Sequence, residues 1–154
     1  RRSLLLERLS FLGYATPALA FALGLLVVTL RLDVLFVPAG QTLLYQSLGV
    51  LVFAYALHFL AEAVGPIRAS LFRAPPRVEE AARSLGASPA EAFFRVTLPL
   101  MRGGLTASLA LVFLSAMKEL PLTMLLSPLG FDTLAKGLWD ATNEARYAEA
   151  APFA

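Results

Sequence analysis

The sequence predicts an all-α, polytopic transmembrane helical bundle. Of its 154 residues, 58% are hydrophobic and 16% are charged, whereas soluble domains usually contain about 45–50% apolar and about 25% charged residues. Residues 11–30 contain no charged side chain, and about 20 apolar residues in a helix cross the hydrocarbon core of a bilayer. The alternative is a hydrophobic soluble bundle, which would have to bury this apolar surface in a small volume.

Three membrane spans are predicted, over residues 11–30, 43–64 and 105–126. Gly and Pro within the first span would weaken a soluble helix, but neighbouring helices can satisfy the freed backbone groups in a bilayer. The third span is interrupted by Lys118, Glu119 and Pro121.

A final helix is predicted over residues 133–151, with Asp132 as its N-cap. Because the chain begins with Arg1 and ends without a polar tail, we expect it to be part of a longer polypeptide.

Basic residues are distributed unevenly between the predicted loops. The basic residues of the N-terminal flank are Arg1, Arg2 and Arg8. The turn after the first span contains only Arg31, the loop at 65–104 contains six arginines, and the last segment is rich in acids. Since Lys and Arg accumulate in cytoplasmic loops, the N-terminus and the loop at 65–104 are predicted to be cytoplasmic.

The loop at 65–104 is predicted to contain two short helices. The first begins at Pro76, a residue type favoured at the first helical position, and ends at Gly86, which accepts the left-handed conformation required there. Its apolar residues fall on one face. They are Val78, Ala81, Ala82 and Leu85.

The second loop helix is predicted to begin with a capping box. Ser88 would accept from the amide of Glu91, and the Glu91 side chain would reach back to the amide of Ser88. Pro99 is expected to stop this helix, because a proline disfavours the helical conformation of the preceding residue, Leu98.

Two interpretations of this folded loop follow from its residues. It could insert into a groove of a partner protein, or it could lie on anionic lipid with its arginines among the head groups. Small alanines on the exposed face favour a close-packed protein partner over lipid.

A spaced pattern in the loop joins Glu80-Ala81-Ala82 to Gly86, Val96 and Leu98-Pro99, with intervals of three, nine and one residues. It resembles the EAA loop of binding-protein-dependent ABC importer permeases, which usually have isoleucine at the position of Val96. The resemblance implies a type I permease fold in which this loop is the coupling helix that docks on the ATP-hydrolysing subunit. The implied docking residues are Glu80, Ala81, Ala82, Leu85 and Gly86.

A second stretch resembles the iron(III) importer permeases. It contains Met117-Lys118-Glu119-Leu120-Pro121, Phe131-Asp132-Thr133-Leu134-Ala135 and Asn143-Glu144-Ala145-Arg146. The resemblance implies ferric iron as cargo and places the chain in the C-terminal part of such a permease. Permeases for thiamine, molybdate, sulfate or polyamines share much of this layout and remain alternatives.

The resemblance also implies a location in the inner membrane and a set of partners. These are an ABC ATPase subunit, a periplasmic or lipoprotein substrate-binding protein, membrane lipid, and a second permease half or subunit. Whether the two halves are a homodimer or one fused chain stays open. The net charge of +2 does not indicate a nucleic-acid partner.

Lys118 and Glu119 lie at membrane depth, where an isolated charge costs about 2.5–3.5 kcal/mol on insertion scales. One hypothesis is that they line the pathway or form a gate at Pro121. The other is that each pairs with another helix and holds the bundle together. His58 is interpreted as a structural residue, and no cluster of hard oxygen ligands suggests a metal site.

An enzyme is not indicated. There is no cysteine and only one histidine, and the sequence lacks a His-Glu-x-x-His motif. Gly86-Ala87-Ser88-Pro89-Ala90 lacks the last glycine of a nucleophile elbow. No Gly-x-x-x-x-Gly-Lys-Ser/Thr loop is present, so ATP would be hydrolysed by another chain. We predict no catalytic residue, cofactor or metal. A non-transport membrane protein is the remaining alternative.

Overall fold

The computed structural model describes residues 16–38 and 41–153, excluding the side chains of Pro76 and Phe153, and these residues form helices and no strand. The first part of the predicted span at 11–30, together with the basic N-terminal flank, lies outside the described residues. The helices are α1 (Ala18–Phe36), α2 (Leu48–His58), α3 (Leu60–Arg73), α4 (Pro76–Ser84), α5 (Pro89–Ala92), a π-helical turn (Phe93–Thr97), α6 (Leu98–Leu100), α7 (Arg102–Lys118), α8 (Pro121–Leu126), α9 (Leu134–Asn143), α10 (Tyr147–Ala150) and a 3₁₀ turn (Ala151–Phe153).

Within these described ranges, α1 is the one helix that is long and apolar enough to cross a membrane by itself. Two bent pairs meet the same criterion when each is counted as one span, which raises the number to three. The first pair is α2 with α3, and the second is Pro89–Leu100 with α7.

The described residues divide into two compact units. The first unit comprises the residues up to Leu60 together with those from Leu114 onward. Its helices α1 and α2 pack on each other and on α8. The buried core of this unit is formed by Ala22, Leu51, Ala54, Leu122 and Leu126. Since Ala22 and Ala54 have no exposed surface, small side chains allow these helices to approach one another.

The turn between α1 and α2 is organised around Asp33, which is 3% exposed. Its Oδ1 accepts from the amides of Leu43 and Leu44 at 3.1 and 2.9 Å, and its Oδ2 accepts from the amide of Tyr45 at 2.8 Å. Asp33 thus holds the chain before α2, which begins only at Leu48, after the left-handed Gln46 (φ 56°) and the N-cap Ser47, whereas the predicted span begins at residue 43. No local sequence signal predicts this role of Asp33.

The second unit comprises Ala61–Phe113. Within it, α3 and α7 approach closely at Gly104, where a Cβ atom would lie 2.5 Å from the backbone oxygen of Pro66 and would collide with Ser70. One turn further along α7, the hydroxyl of Ser108 donates to the carbonyl of Ala63 at 2.7 Å. Glycine at 104 is therefore required by the approach of another helix.

The helix predicted over residues 133–151 is not continuous. After α9 the backbone of Ala145 turns left-handed (φ 55°), and the amide of Arg146 donates to the carbonyl of Ala141 at 2.8 Å. This is a helix-ending motif usually built on glycine. Alanine gives no signal for it, because alanine favours helix interiors.

The predicted N-cap of this helix was also wrong. Thr133 is the N-cap, and its hydroxyl accepts from the amide of Lys136 at 3.3 Å. Asp132 lies one residue too early and binds the Lys136 ammonium instead, with Nζ and Oδ1 2.6 Å apart. This hydrogen bond raises the pKa of Lys136, and the charges of Glu144 and Glu149 raise the pKa of Arg146.

The close approach at Gly104 gives a prediction with a matched control. Gly104→Ala should lower the free energy of unfolding of the purified permease by about 1–3 kcal/mol, because the added methyl group overpacks the contact with α3. Gly103→Ala should be neutral or stabilising by up to about 1 kcal/mol, since nothing lies within 4 Å of a Cβ there. Detergent unfolding curves measure both, and equal shifts would contradict the packing.

Candidate functional site

The tip of the loop begins at the end of α4. Gly86 has a φ of +92°, which confirms that it ends this helix as predicted. The amide of Gly86 donates to the carbonyl of Arg83 at 3.0 Å, and the amide of Ala87 donates to the carbonyl of Ala82 at 3.1 Å. These two bonds satisfy carbonyls that the helix would otherwise leave open, so the tip has a defined backbone.

The next helix, α5, begins immediately after this tip. Ser88 caps it, accepting from the amide of Glu91 at 3.2 Å, and this half of the predicted capping box is confirmed. In the described structure the Glu91 carboxylate binds Arg95 at 2.8 Å rather than reaching back to Ser88. The arginine lies one helical turn further on, where it can form an ion pair with Glu91.

The residues predicted to dock differ in exposure. Glu80, Ala81, Leu85 and Gly86 are exposed, and Ala82 is half-buried. Leu85 is 90% exposed, although leucine is usually buried. A shallow groove of about 390 Å³ brings three docking residues together with their neighbours. Its lining consists of Ala82, Leu85, Gly86, Ala87, Glu91, Ala92, Arg95 and Val96.

The apolar face predicted for α4 is divided between two surroundings. Val78 lines a separate cavity of about 270 Å³ with Val96 and Thr97, whereas Leu85 projects from the opposite end of the helix into the groove at the tip. Glu80 lies in a further shallow depression with Arg83 and Ser84. The exposed part of the predicted docking set is therefore concentrated in the last turn of α4 and the residues after it.

One hydrogen bond between the two loop helices is not predicted by the sequence. The hydroxyl of the buried Thr97 donates to Oε2 of Glu79 at 3.0 Å. The sequence gives no signal for this pairing, because the contact joins residues 18 positions apart. This bond fixes α4 against the π-helical turn.

The expectation that Pro99 stops the second loop helix was wrong. The amide of Leu98 donates to the carbonyl of Phe93, five residues earlier, and the helical backbone continues to Leu100. A proline ring collides with the carbonyl four residues before it in an α-helix. The wider π-helical turn relieves that clash, and the bend of 66° follows at Met101 instead.

The break at the predicted gate has a clear hydrogen-bonding basis. Oε1 of Glu119 accepts from the amide of Leu122 at 3.0 Å, and the carbonyl of Glu119 accepts from the hydroxyl of Thr123 at 2.9 Å. Glu119 therefore caps the helix that starts at Pro121, and its described hydrogen bonds lie at this break. Thr123 also hydrogen-bonds with Tyr55 of α2.

Lys118 differs from Glu119, because it forms no hydrogen bond or ion pair with any described residue. It lines a cavity of about 480 Å³ in the first unit. The other residues of the lining are Met117, Leu120, Leu134, Ala135, Leu138, Trp139 and Thr142. The structure thus separates the three predicted pathway residues into a helix break, formed by Glu119 and Pro121, and a cavity wall that contains Lys118.

His58 is 8% exposed and packs against Phe21 and Phe59, with ring centroids 5.4 and 5.1 Å away. Its Nδ1 has no hydrogen-bond partner among the described residues. Within the same described ranges, no group of three or more His, Cys, Asp or Glu side chains could hold a metal ion. His58 is held by aromatic contacts.

Comparison with known proteins then gives the family. Residues 1–153 match the family described as binding-protein-dependent transport system inner membrane component. The chain belongs to this family. The predicted permease family, the all-α membrane fold and an inner-membrane location at the level of the family follow from this membership.

Relatives of this chain within the permease family are named for different transported substrates. The chain is 37% identical over 149 residues to the Fe(3+)-transport system permease protein FbpB 2 of Haemophilus influenzae, covering 97% of this chain and 28% of that protein. It is 29% identical over 146 residues to the putative 2-aminoethylphosphonate transport system permease protein PhnV of Salmonella typhimurium, covering 95% of this chain and 52% of that protein. The chain thus spans about half or less of these relatives, and its resemblance to iron(III) permeases is confirmed.

The Glu79–Thr97 bond gives a prediction about the order of the loop. Thr97→Val removes the donor with little change in volume, so local opening of α4 should become easier by about 1.5 kcal/mol. Hydrogen–deuterium exchange of the α4 amides in the purified permease should accelerate about tenfold. Thr106→Val is the control, because the Thr106 hydroxyl bonds only within its own helix, and unchanged exchange in Thr97→Val would refute the role of the bond.

Proposed function

We propose that this chain forms part of the translocation pathway of an ABC importer and that its loop at 65–104 couples this pathway to ATP hydrolysis by a separate subunit. Membership in the permease family supports the transport role. The observation that carries the coupling role is the tip of the loop, where the nearly fully exposed Leu85 stands beside the left-handed Gly86 on a hydrogen-bonded backbone.

Such a tip is suited to docking on a protein. An exposed leucine loses little conformational freedom on binding and gains about 1.5–3 kcal/mol when it is fully buried. The neighbouring Ala81 and Gly86 are small, so a partner's surface can come close to the backbone. Glu80 supplies a charge at the edge of this patch, where it can select among partners.

The rest of the loop is built to transmit a movement of the tip to the membrane spans. The Glu79–Thr97 bond joins α4 to the π-helical turn, and the buried Met101 lies at the bend that leads into α7. A loop fixed in this way moves as one piece, whereas a flexible linker would absorb the motion. The proposed partners are an ABC ATPase, a substrate-binding protein, membrane lipid and a second permease half or subunit.

We propose ferric iron as the cargo, because a relative named for Fe(3+) transport is 37% identical over nearly the whole chain. Since the described residues contain no metal-binding cluster, recognition of iron would belong to the separate binding protein. A phosphonate is the second candidate, supported by the relative named for 2-aminoethylphosphonate transport.

The cargo can be assigned with the complete importer in proteoliposomes. Ferric-loaded binding protein should stimulate ATP hydrolysis, whereas 2-aminoethylphosphonate-loaded binding protein should leave it at the basal rate, because only the correct loaded partner is expected to shift the permease toward its active state. The reverse pattern would assign the phosphonate. Binding proteins without ligand serve as controls.

The docking role can be tested by single-cysteine cross-linking, since this chain contains no cysteine. Leu85→Cys, in a permease whose cysteines outside this chain have been replaced, should cross-link to the ATPase subunit and react with a thiol reagent only from the cytoplasmic side. The physical reason is that Leu85 stands exposed on the loop predicted to face the ATPase.

Leu129→Cys is the matched control. Leu129 is 87% exposed, close to the exposure of Leu85, but it follows the third predicted span and should react only from the opposite side. Labelling of the Leu85→Cys variant from outside the cell, or a failure of the Leu85→Cys variant to cross-link in an importer that hydrolyses ATP, would overturn the docking proposal.

A further inference from the structure

The cavity beside Lys118 combines one cationic group with apolar walls. It has a volume of about 480 Å³, which is within the usual size range of small-molecule sites. Its apolar lining includes Met117, Leu134, Leu138 and Trp139. All of its lining residues belong to the first compact unit.

Lys118 is the one side chain of this lining with an available charge. The adjacent carboxylate of Glu119 caps α8 through the amide of Leu122, and no described carboxylate forms an ion pair with Lys118. Lys136, which follows the lining residue Ala135 but is not itself part of the lining, is by contrast bound to Asp132.

The hydroxyl group in the lining, that of Thr142, is already bonded. The hydroxyl of Thr142 contacts the carbonyls of Leu138 and Trp139, at 2.8 and 2.9 Å. Its hydrogen is therefore directed to its own helix, and the Lys118 ammonium is the one charged donor of the lining that can meet a ligand. An ammonium group offers three N–H donors and a full positive charge, which match a carboxylate or a phosphoryl oxygen.

We propose that this cavity binds an anion that carries an apolar group. The carboxylate, phosphonate or phosphate group would contact Nζ of Lys118, and the apolar part would lie against Leu138 and Trp139. A bare metal cation is disfavoured there, because Lys118 repels it and no described acid in the lining compensates.

Two sources could supply this chemistry. A transported organic anion is one, and this source rests on the second cargo candidate of the proposed function, a phosphonate. The other is an anionic phospholipid of the surrounding membrane, whose phosphate and acyl chains offer the same combination. The binding chemistry at Lys118 is shared, and the experiment below separates the sources.

The test uses the complete permease in nanodiscs and measures calorimetric binding of butylphosphonate as the soluble probe. In discs of phosphatidylcholine, Lys118→Met should weaken binding about tenfold or more, because a hydrogen bond to a charged group is lost. Lys118→Arg should keep most of the affinity. Lys136→Met removes the same charge from a lysine outside the lining and should leave binding unchanged.

A second variant tests the cavity without touching the charge. Leu138→Trp reduces the space for the apolar group, so it should weaken butylphosphonate binding more than the binding of inorganic phosphate. This variant and Lys118→Arg keep the proposal falsifiable if Lys118→Met fails to fold.

The lipid arm repeats the titration in discs that contain phosphatidylglycerol. If phosphatidylglycerol competes with butylphosphonate in the wild type but not in Lys118→Met, the phospholipid is the occupant. If butylphosphonate binding is undiminished by this lipid, the soluble anion is the occupant. Binding of neither anion, or equal affinities in the wild type and Lys118→Met, would overturn the proposal. The assay needs no ATPase, so its outcome is independent of whether the loop docks.

Discussion

A backbone amide or carbonyl that leaves a helix in apolar surroundings finds no water, so each interruption of a helix must contain its own hydrogen-bond partners. The breaks described above follow this constraint. Asp33 accepts three amides where the chain turns between α1 and α2, and Glu119 accepts the amide of Leu122 where α7 gives way to α8. Asp33 and Glu119 are charges in a hydrophobic sequence that resemble functional residues, but both accept hydrogen bonds from backbone amides. Lys118, which lies next to Glu119, has no such task.

The loop between the second and third predicted spans, which is predicted to be cytoplasmic, is shaped by the short length of its helices. Helices as short as α4 and α5 are marginal in isolation, because nucleation costs more than a few hydrogen bonds return. Three local devices compensate for this cost: the left-handed Gly86, the Ser88 cap and the Glu79–Thr97 bond. A π-helical turn then carries the chain past Pro99 without breaking the helix. The result is an ordered connection from an exposed tip to the bend at Met101.

Features that depend on neighbours in the chain could be predicted from the sequence. The end of α4 at Gly86 and the cap at Ser88 are of this kind, because one residue type at one position determines each. Features that depend on distant partners could not. Nothing near Asp33 indicates that residues 43–45 will bind it, and the need for glycine at 104 appears only when Ser70 is placed against it. Ala145 was missed for a different reason, since its left-handed backbone contradicts its own propensity.

Leu85 has a consequence for the life of the polypeptide before assembly. A leucine that is 90% exposed on an ordered tip offers chaperones and proteases an apolar handle for as long as nothing covers it. A subunit made in excess of its partner would therefore be recognised and removed, and the cellular amount of the permease would follow that of its partner. Leu85 would then both contact the partner and keep the amount of permease matched to the amount of that partner.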